Sequence, residues 1–287
     1  MTDPACGHLD GTGPGSGVAA RLNLSFPQTH TDGASMARLA LGIQTDKAAA
    51  LCALPFCCTV EAEALGASVT LGDADNGPRA KEFVCSSLRD VLRLKEMDFT
   101  AGRIALVLEA CRLLVADGRR VALEISGPMT ILNWLMDLRV VLREWRKDEG
   151  LMRETVSRLR GELLRYALEA KRTGVEVICH ADPAGTLAIL GPERFIFMAD
   201  TFLLPFLRGL EAEDAFKAAV QICPKTSHAL VYCGRAVWRD LPLERPMGYG
   251  EGCLAAAGNT PFLGEACIRD TKYYLRDGII KRLVLSR

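Results

Sequence analysis

"VEVICHADPAG", residues 175–185, is a short apolar run that halts at an Asp-Pro pair. Its length, the Gly174 before it and its turn-forming exit make it a buried strand rather than part of a helix. Upstream, "DEGLMRETVSRLRGELLRYALEAKRTG" (148–174) reads as a long helix closed by that glycine. Downstream, "PERFIFMADTFLLPFLRGLEA" (192–212) reads as a helix, and "AAVQIC" (218–223) as the next strand. Working back toward the N-terminus, "TILNWLMDLRVVLREW" (130–145) is helical and "RVALEIS" (120–126) is a buried strand. Residues 98–117 form an amphipathic helix, with Ile104, Leu108, Cys111 and Val115 three or four apart and Gly118 just past its end. Helix and strand therefore alternate from about residue 100, which calls for a parallel sheet covered by helices. The 287-residue length and the lack of a G-x-G-x-x-G after any strand favour an α/β fold of the (β/α)8 TIM-barrel type over an open doubly wound sheet.

The flanks are less regular. "SMARLALGI" (35–43) and "DKAAALCAL" (46–54) read as short helices, "ASVTLG" (67–72) as a strand and "DNGPRAKEF" (75–83) as a loop. Near the C-terminus, "TSHALVYCG" (226–234) and "GYGEGCLAAAG" (248–258) read as short helices. "TPFLGEACI" (260–268) is either a last barrel strand ending at Cys267 or a helix opened by Thr260 and Pro261; the strand is preferred. "GIIKRLVLS" (278–286) is extended and apolar. The barrel is thus expected in modified or incomplete form near its C-terminus. Residues 1–30 are expected to be a flexible leader and 31–287 a single α/β barrel domain.

Composition narrows the partners. Apolar residues are 49% and charged residues 24%, as in a globular protein. Lys plus Arg and Asp plus Glu number 35 each, so no basic field is available to attract nucleic acid or an anionic membrane. No apolar run reaches the roughly 18 residues of a membrane span, and "MTDPACGHLDGTGPGSG" does not have the plan of a secretory signal. Eleven cysteines without an export signal suggest thiols in a reducing cytosol, hence a cytoplasmic protein.

In a parallel barrel the chemistry sits at the carboxyl ends of the strands. Three ends are legible: Glu124-Ile125-Ser126, Cys179-His180-Ala181-Asp182, and Gln221-Ile222-Cys223. Cys267 joins them if 260–268 is a strand, with Cys253 as its rival. Two cysteines with one His, Asp or Glu would suit a zinc site with a position open for substrate. Blander readings stand beside this one. Cys179 and His180 are adjacent on a strand and point to opposite faces, so at least one packs. Asp182 can cap the following loop, and a lone rim histidine is commonly just hydrogen-bonded. Glu124 lies inside an apolar strand and needs a partner or a function. His228 reads as a solvated or capping residue, and Trp134, Trp145 and Trp238 as packing.

The segments "LPFCCTVEAEALGASV", "EISGPMTIL", "GVEVICHADPAG", "LGPERF" and "VQICPKTS" occur in this order and resemble the uroporphyrinogen decarboxylase superfamily. The likeness is to its cobalamin-dependent methyltransferase branch and covers residues 35–230. The arginine-rich motif of true decarboxylases is absent, which counts against porphyrinogen decarboxylation. The resemblance implies a His-x-Cys pair at "VQICPKT": Cys223 matches the cysteine, while Gln221 stands at the histidine position. It implies a distal cysteine, either Cys253 or Cys267, as the second zinc thiolate, with His180, Asp182 or Glu124 as third ligand or catalytic group. The implied activity is methyl transfer between a small molecule and a corrinoid carried by a separate corrinoid-binding protein. Gln221 in place of histidine favours a demethylase direction, from a small methylated donor such as a methoxylated aromatic to cobalt. The alternatives are transfer from a methylcorrinoid to a thiol, a porphyrinogen lyase, and a non-catalytic partner of a corrinoid protein.

Overall fold

A computed structural model describes residues 14–213, 217–258 and 262–286. Its main sheet has seven strands: β1 (Cys52–Leu54), β2 (Val121–Ser126), β3 (Val177–Ala181), β4 (Ala219–Ile222), β5 (Ala236–Pro242), β6 (Phe262–Leu263) and β7 (Ile279–Leu285). Their spatial order is β1-β2-β3-β4-β6-β7-β5. Strands β1 to β4 and β6 are mutually parallel, whereas β7 runs antiparallel to both β6 and β5. This is the α/β architecture that the strand–helix alternation predicts, modified at the C-terminal side. Among the described residues no ladder joins β1 to β5.

The pleat sorts the central strands into two faces. Leu123 and Ile125 on β2, Ile178 on β3, and Val220 and Ile222 on β4 pack into the large core shared with the helices. Ala122, Val177, Cys179 and Ala219 face the other way, into a smaller core with Leu263, Tyr249, Cys253 and Ile280. The register places Glu124, Cys179, Gln221 and Leu263 side by side, and Ile125, His180 and Ile222 in the next row. The helix Glu149–Arg172 supplies much of the outer layer by burying Met152, Val156, Leu159, Leu163, Tyr166 and Ala170 at helical spacing. The Asp148 carboxylate starts it by accepting from Leu151 N at 2.9 Å.

Several local expectations change. The helix expected at 35–43 runs Gly33–Lys47 and stops at Ala48, which is left-handed. Only Asp46 and Lys47 of "DKAAALCAL" are helical; its end is β1, whose register with β2 overrides the Ala-rich helical propensity. "DNGPRAKEF" is not all loop, because Arg79–Glu82 pairs antiparallel with Ser68–Thr70. "TILNWLMDLRVVLREW" is two helices, Pro128–Leu135 and Leu138–Lys147, and Asp137 caps the second through Arg139 N. The segment after β3 is broken at Gly191 and again by a π-turn at Ala199–Leu203. "TPFLGEACI" contributes only the two residues of β6, so Cys267 lies in the turn beyond the strand; Thr260 and Pro261 fall outside the described residues. Within the expected leader, residues 1–13 lie outside the described residues, while Ser16–Arg21 is helical and Thr29 and His30 are buried. No helix among the described residues is long and apolar enough to cross a membrane.

Candidate active site

A cavity of about 390 Å³ opens at the carboxyl ends of the parallel strands. Glu124 of β2, Cys179 of β3 and Gln221 of β4 reach it from neighbouring positions of one pleat row. Cys223 and Lys225, at the start of the helix Pro224–Tyr232, and Cys267 and Arg269, from the turn after β6, complete its polar wall. A strand end, a helix start and a distant turn thus bring together two of the three cysteines expected as ligands, Cys223 and Cys267.

The third, Cys253, is elsewhere. It is fully buried in the helix Tyr249–Ala255 and packs into the smaller core, where burial pushes its thiol far above the usual range. Cys179 is also buried, and desolvation raises its thiol well above normal.

Glu124 has the partner that its burial requires. The Arg269 guanidinium lies 3.4 Å from its Oε2, with only 17% and 12% of the two side chains exposed. A pair this dry must be matched charge for charge, or one ion is stranded in low dielectric. Arg269 Nη2 also donates to Pro55 O at 3.2 Å, so the guanidinium bridges the segment after β1 and strand β2. Nothing in the sequence pattern marks Arg269, because it lies in no periodic element; its only signal is a cation beside a cavity cysteine in "ACIRD".

Asp182 is a structural cap. Its carboxylate accepts from Met129 N (3.2 Å), Thr130 N (2.8 Å) and Thr130 Oγ1 (2.7 Å), at the start of the helix Pro128–Leu135. Burial pushes its carboxyl up to about 6 against those hydrogen bonds. A Cβ at Gly127 or Gly185 would fall 2.4 Å from its side chain, so these two glycines form its slot. His180 contributes to the cavity wall, yet its ring follows the Ile125–Ile222 row and packs on Phe202 and Phe206, at 5.5 and 5.9 Å between ring centroids. Burial lowers it to about 4, and neither ring nitrogen has a hydrogen-bond partner among the described residues. His228 is half-buried, edge-on to Trp238 at 5.3 Å.

Gln221 is engaged by backbone. Its Nε2 donates to Ile222 O (2.9 Å) and to Ala266 O (3.0 Å), tying β4 to the turn that carries Cys267. Ser227 Oγ donates to Gly264 O at 2.5 Å and fastens the start of the same turn. A Cβ at Gly264 would sit 2.6 Å from Ile222 O, which is backbone and cannot give way. Gly264→Ala is expected to destabilise the chain by about 1–3 kcal/mol, read as a lower urea midpoint, and to displace Cys267.

The expected zinc would take Cys223 with Cys253 or Cys267 and a third ligand from His180, Asp182 or Glu124. Among the described residues no three His, Cys, Asp or Glu side chains are grouped to hold a metal. The reasons are concrete: Asp182 caps a helix, His180 faces the helix layer, Cys253 is packed away, Gln221 donates to carbonyls, and Glu124 is paired with an arginine.

The segment "PFCCTVEAEALGA" braces the rim. Buried Arg103 donates to Cys57 Sγ (3.1 Å) and Thr59 Oγ1 (2.6 Å) and pairs with Glu63. Glu61 Oε1 accepts from Ser126 N at 2.8 Å, and burial raises its carboxyl. The segment after β1 is thereby locked to the end of β2.

The family described as uroporphyrinogen decarboxylase (URO-D) matches residues 15–236. Methylcobamide:CoM methyltransferase MtaA of Methanosarcina barkeri is 22% identical over 231 residues, covering 79% of this chain and 67% of the relative. Methylcobamide:CoM methyltransferase MtbA of Methanosarcina acetivorans is 24% identical over 219 residues, covering 71% and 61%. The chain thus spans about two thirds of the length of these relatives. A solved methyltransferase from Methanosarcina mazei superposes with a TM-score of 0.65 at 22% identity, over 80% of this chain and 68% of that one, and shares the fold. The chain belongs to the uroporphyrinogen decarboxylase family and fits its cobalamin-dependent methyltransferase branch.

Proposed function

We propose that the chain is a corrinoid-dependent methyltransferase that moves the methyl group of a methylcorrinoid, carried by a partner protein, to a small thiol held in the cavity. The observation that carries this reading is the convergence of Cys223, Cys267, Glu124 and Arg269 on one cavity at the strand ends of a chain in this family. A thiol reacts as its thiolate. Its sulfur forms the new bond to the methyl carbon while the carbon–cobalt bond breaks, and both electrons of that bond stay with cobalt. The chain's task is to hold the sulfur charged, dry and in line, which the cationic and poorly solvated wall around Arg269 suits.

The reverse direction, from a methylated donor such as a methoxylated aromatic, has Gln221 in its favour, since that residue departs from the thiol-binding pattern. The reaction named for the relatives favours the thiol acceptor. Anaerobic incubation with methylcob(III)alamin and 2-mercaptoethanesulfonate is expected to bleach the methyl–cobalt spectrum and yield the S-methyl thioether. Cys223→Ala, which removes a wall group, is expected to slow this by roughly tenfold to a hundredfold through misplacement. Methylation of Co(I) by a methoxyarene with no thiol turnover would move the assignment to the demethylase direction. Carbon dioxide released from a porphyrinogen would move it to lyase chemistry.

A further inference from the structure

The cavity wall sets two cations, Lys225 and Arg269, against one carboxylate, Glu124, and among the described residues no three His, Cys, Asp or Glu side chains are grouped to hold a metal. Its buried positive charge is the Arg269 guanidinium, oriented by Glu124 on one side and by the Pro55 carbonyl on another. Cys179 and Cys267 lie on the same cavity wall. Of the groups expected around an ion, the Gln221 amide holds Ile222 O and Ala266 O, Asp182 holds the helix start at Thr130, and Cys253 is packed into the smaller core. A guanidinium is always charged, presents several donors in one plane and stays charged in a partly dry site.

Resting on the thiol-acceptor reading, we infer that Arg269 supplies the positive charge that binds the acceptor as its thiolate, and that methyl transfer in this chain requires no metal ion. The thiol releases its proton to solvent on binding, and the thiolate pairs with Arg269. Its sulfur then takes the methyl carbon, leaving both electrons of the carbon–cobalt bond on the cobalt of the partner's corrinoid. Glu124 is a positioning residue: it aims the guanidinium and keeps it in the cavity when no acceptor is bound. This arrangement also explains why Gln221 can stand at its position. With no ion to ligate, a neutral amide that ties β4 to the Cys267 turn serves the site better than an imidazole that would repel the nearby cation once protonated.

The test is calorimetric titration of the full chain with 2-mercaptoethanesulfonate, after dialysis against chelator and with elemental analysis of the protein used. Running it in two buffers of different ionisation enthalpy counts the protons released, and the ultraviolet absorbance of the bound thiolate gives a second readout. Expected are binding by the metal-free chain, release of one proton per thiol bound at neutral pH, and no gain on adding zinc. Arg269→Gln should weaken binding about tenfold to a hundredfold, the loss expected for a hydrogen bond to a charged group. Arg269→Lys should restore part of it, and the double change Arg269→Gln with Glu124→Gln keeps the site free of a stranded charge if the single variant folds poorly. Binding that appears only with stoichiometric zinc, or that Arg269→Gln leaves unchanged, overturns the inference while leaving the thiol acceptor standing. No binding by either the metal-free or the zinc-loaded chain overturns both.

Discussion

Arg269→Met is expected to cost about 3 kcal/mol of folding stability, measured by urea unfolding at neutral pH. The variant takes the Arg269 cation away from the Glu124 carboxylate, which has little solvent access, and breaking one side of a buried pair typically costs about 3–5 kcal/mol. The lower figure applies because the pair is 3.4 Å apart and retains 17% and 12% exposure. Replacing both residues by methionine is expected to recover most of the loss, since the stranded charge disappears with its partner. A single variant within about 0.5 kcal/mol of the parent, the range of an ordinary surface change, would mean that the carboxylate finds water and that the pair is a surface contact. The double variant should fold well and still fail to bind thiol, which separates the structural role of the pair from its chemical one.

The second large effect is on acid stability. Burial holds His180 down to about 4, and burial, followed by the nearby Arg103 charge, does the same to His30. Both values lie below the 6.5 of an unfolded histidine, so the folded state favours the neutral ring. Between pH 6.5 and 4 the unfolded chain therefore binds more protons than the native one. The stability each neutral ring confers is fully present above 6.5 and is lost as pH falls toward 4. A shift of this size corresponds to about 3 kcal/mol per fully buried group. His180→Phe, which keeps the aromatic contact with Phe202 and Phe206, is expected to be close to neutral at pH 7 and to flatten the urea midpoint between pH 6.5 and 4. An unchanged acid slope would show that the ring is hydrated in the native state. Loss of methyl transfer with full stability at pH 7 would give the imidazole a chemical part that its packing does not suggest.

The central fold is legible because β2, β3 and β4 are short apolar runs between punctuating residues, flanked by long periodic helices. The pleat then puts Glu124 and Cys179 on one face and His180 on the other, an alternation already visible in the order of Cys179 and His180. The edges are less legible. Cys52–Leu54 reads as helix because Ala48, Ala49 and Ala50 precede it, and only the neighbouring β2 makes it a strand. β6 is two residues long, too short for any periodicity, so the reach of its turn into the cavity cannot be read from spacing. Arg269 is silent for the same reason. Its role depends on Glu124, 145 positions earlier, and sequence order carries no trace of that pairing. Asp182 shows the opposite case: its bland reading as a cap was open in the sequence, and the Met129 and Thr130 amides supply the partners.

The order of strands in the sheet also sets a problem for the protein as it is made. β6 is inserted between β4 and β7, yet the ribosome delivers β5 before either β6 or β7. Until residue 262 has emerged, the outer edge of β4 has no ladder partner, and β5 waits for a strand that arrives only at residues 279–285. Bare strand edges of this kind template pairing with other chains. While residues 223–278 are being made, these edges therefore stay bare and open to such pairing.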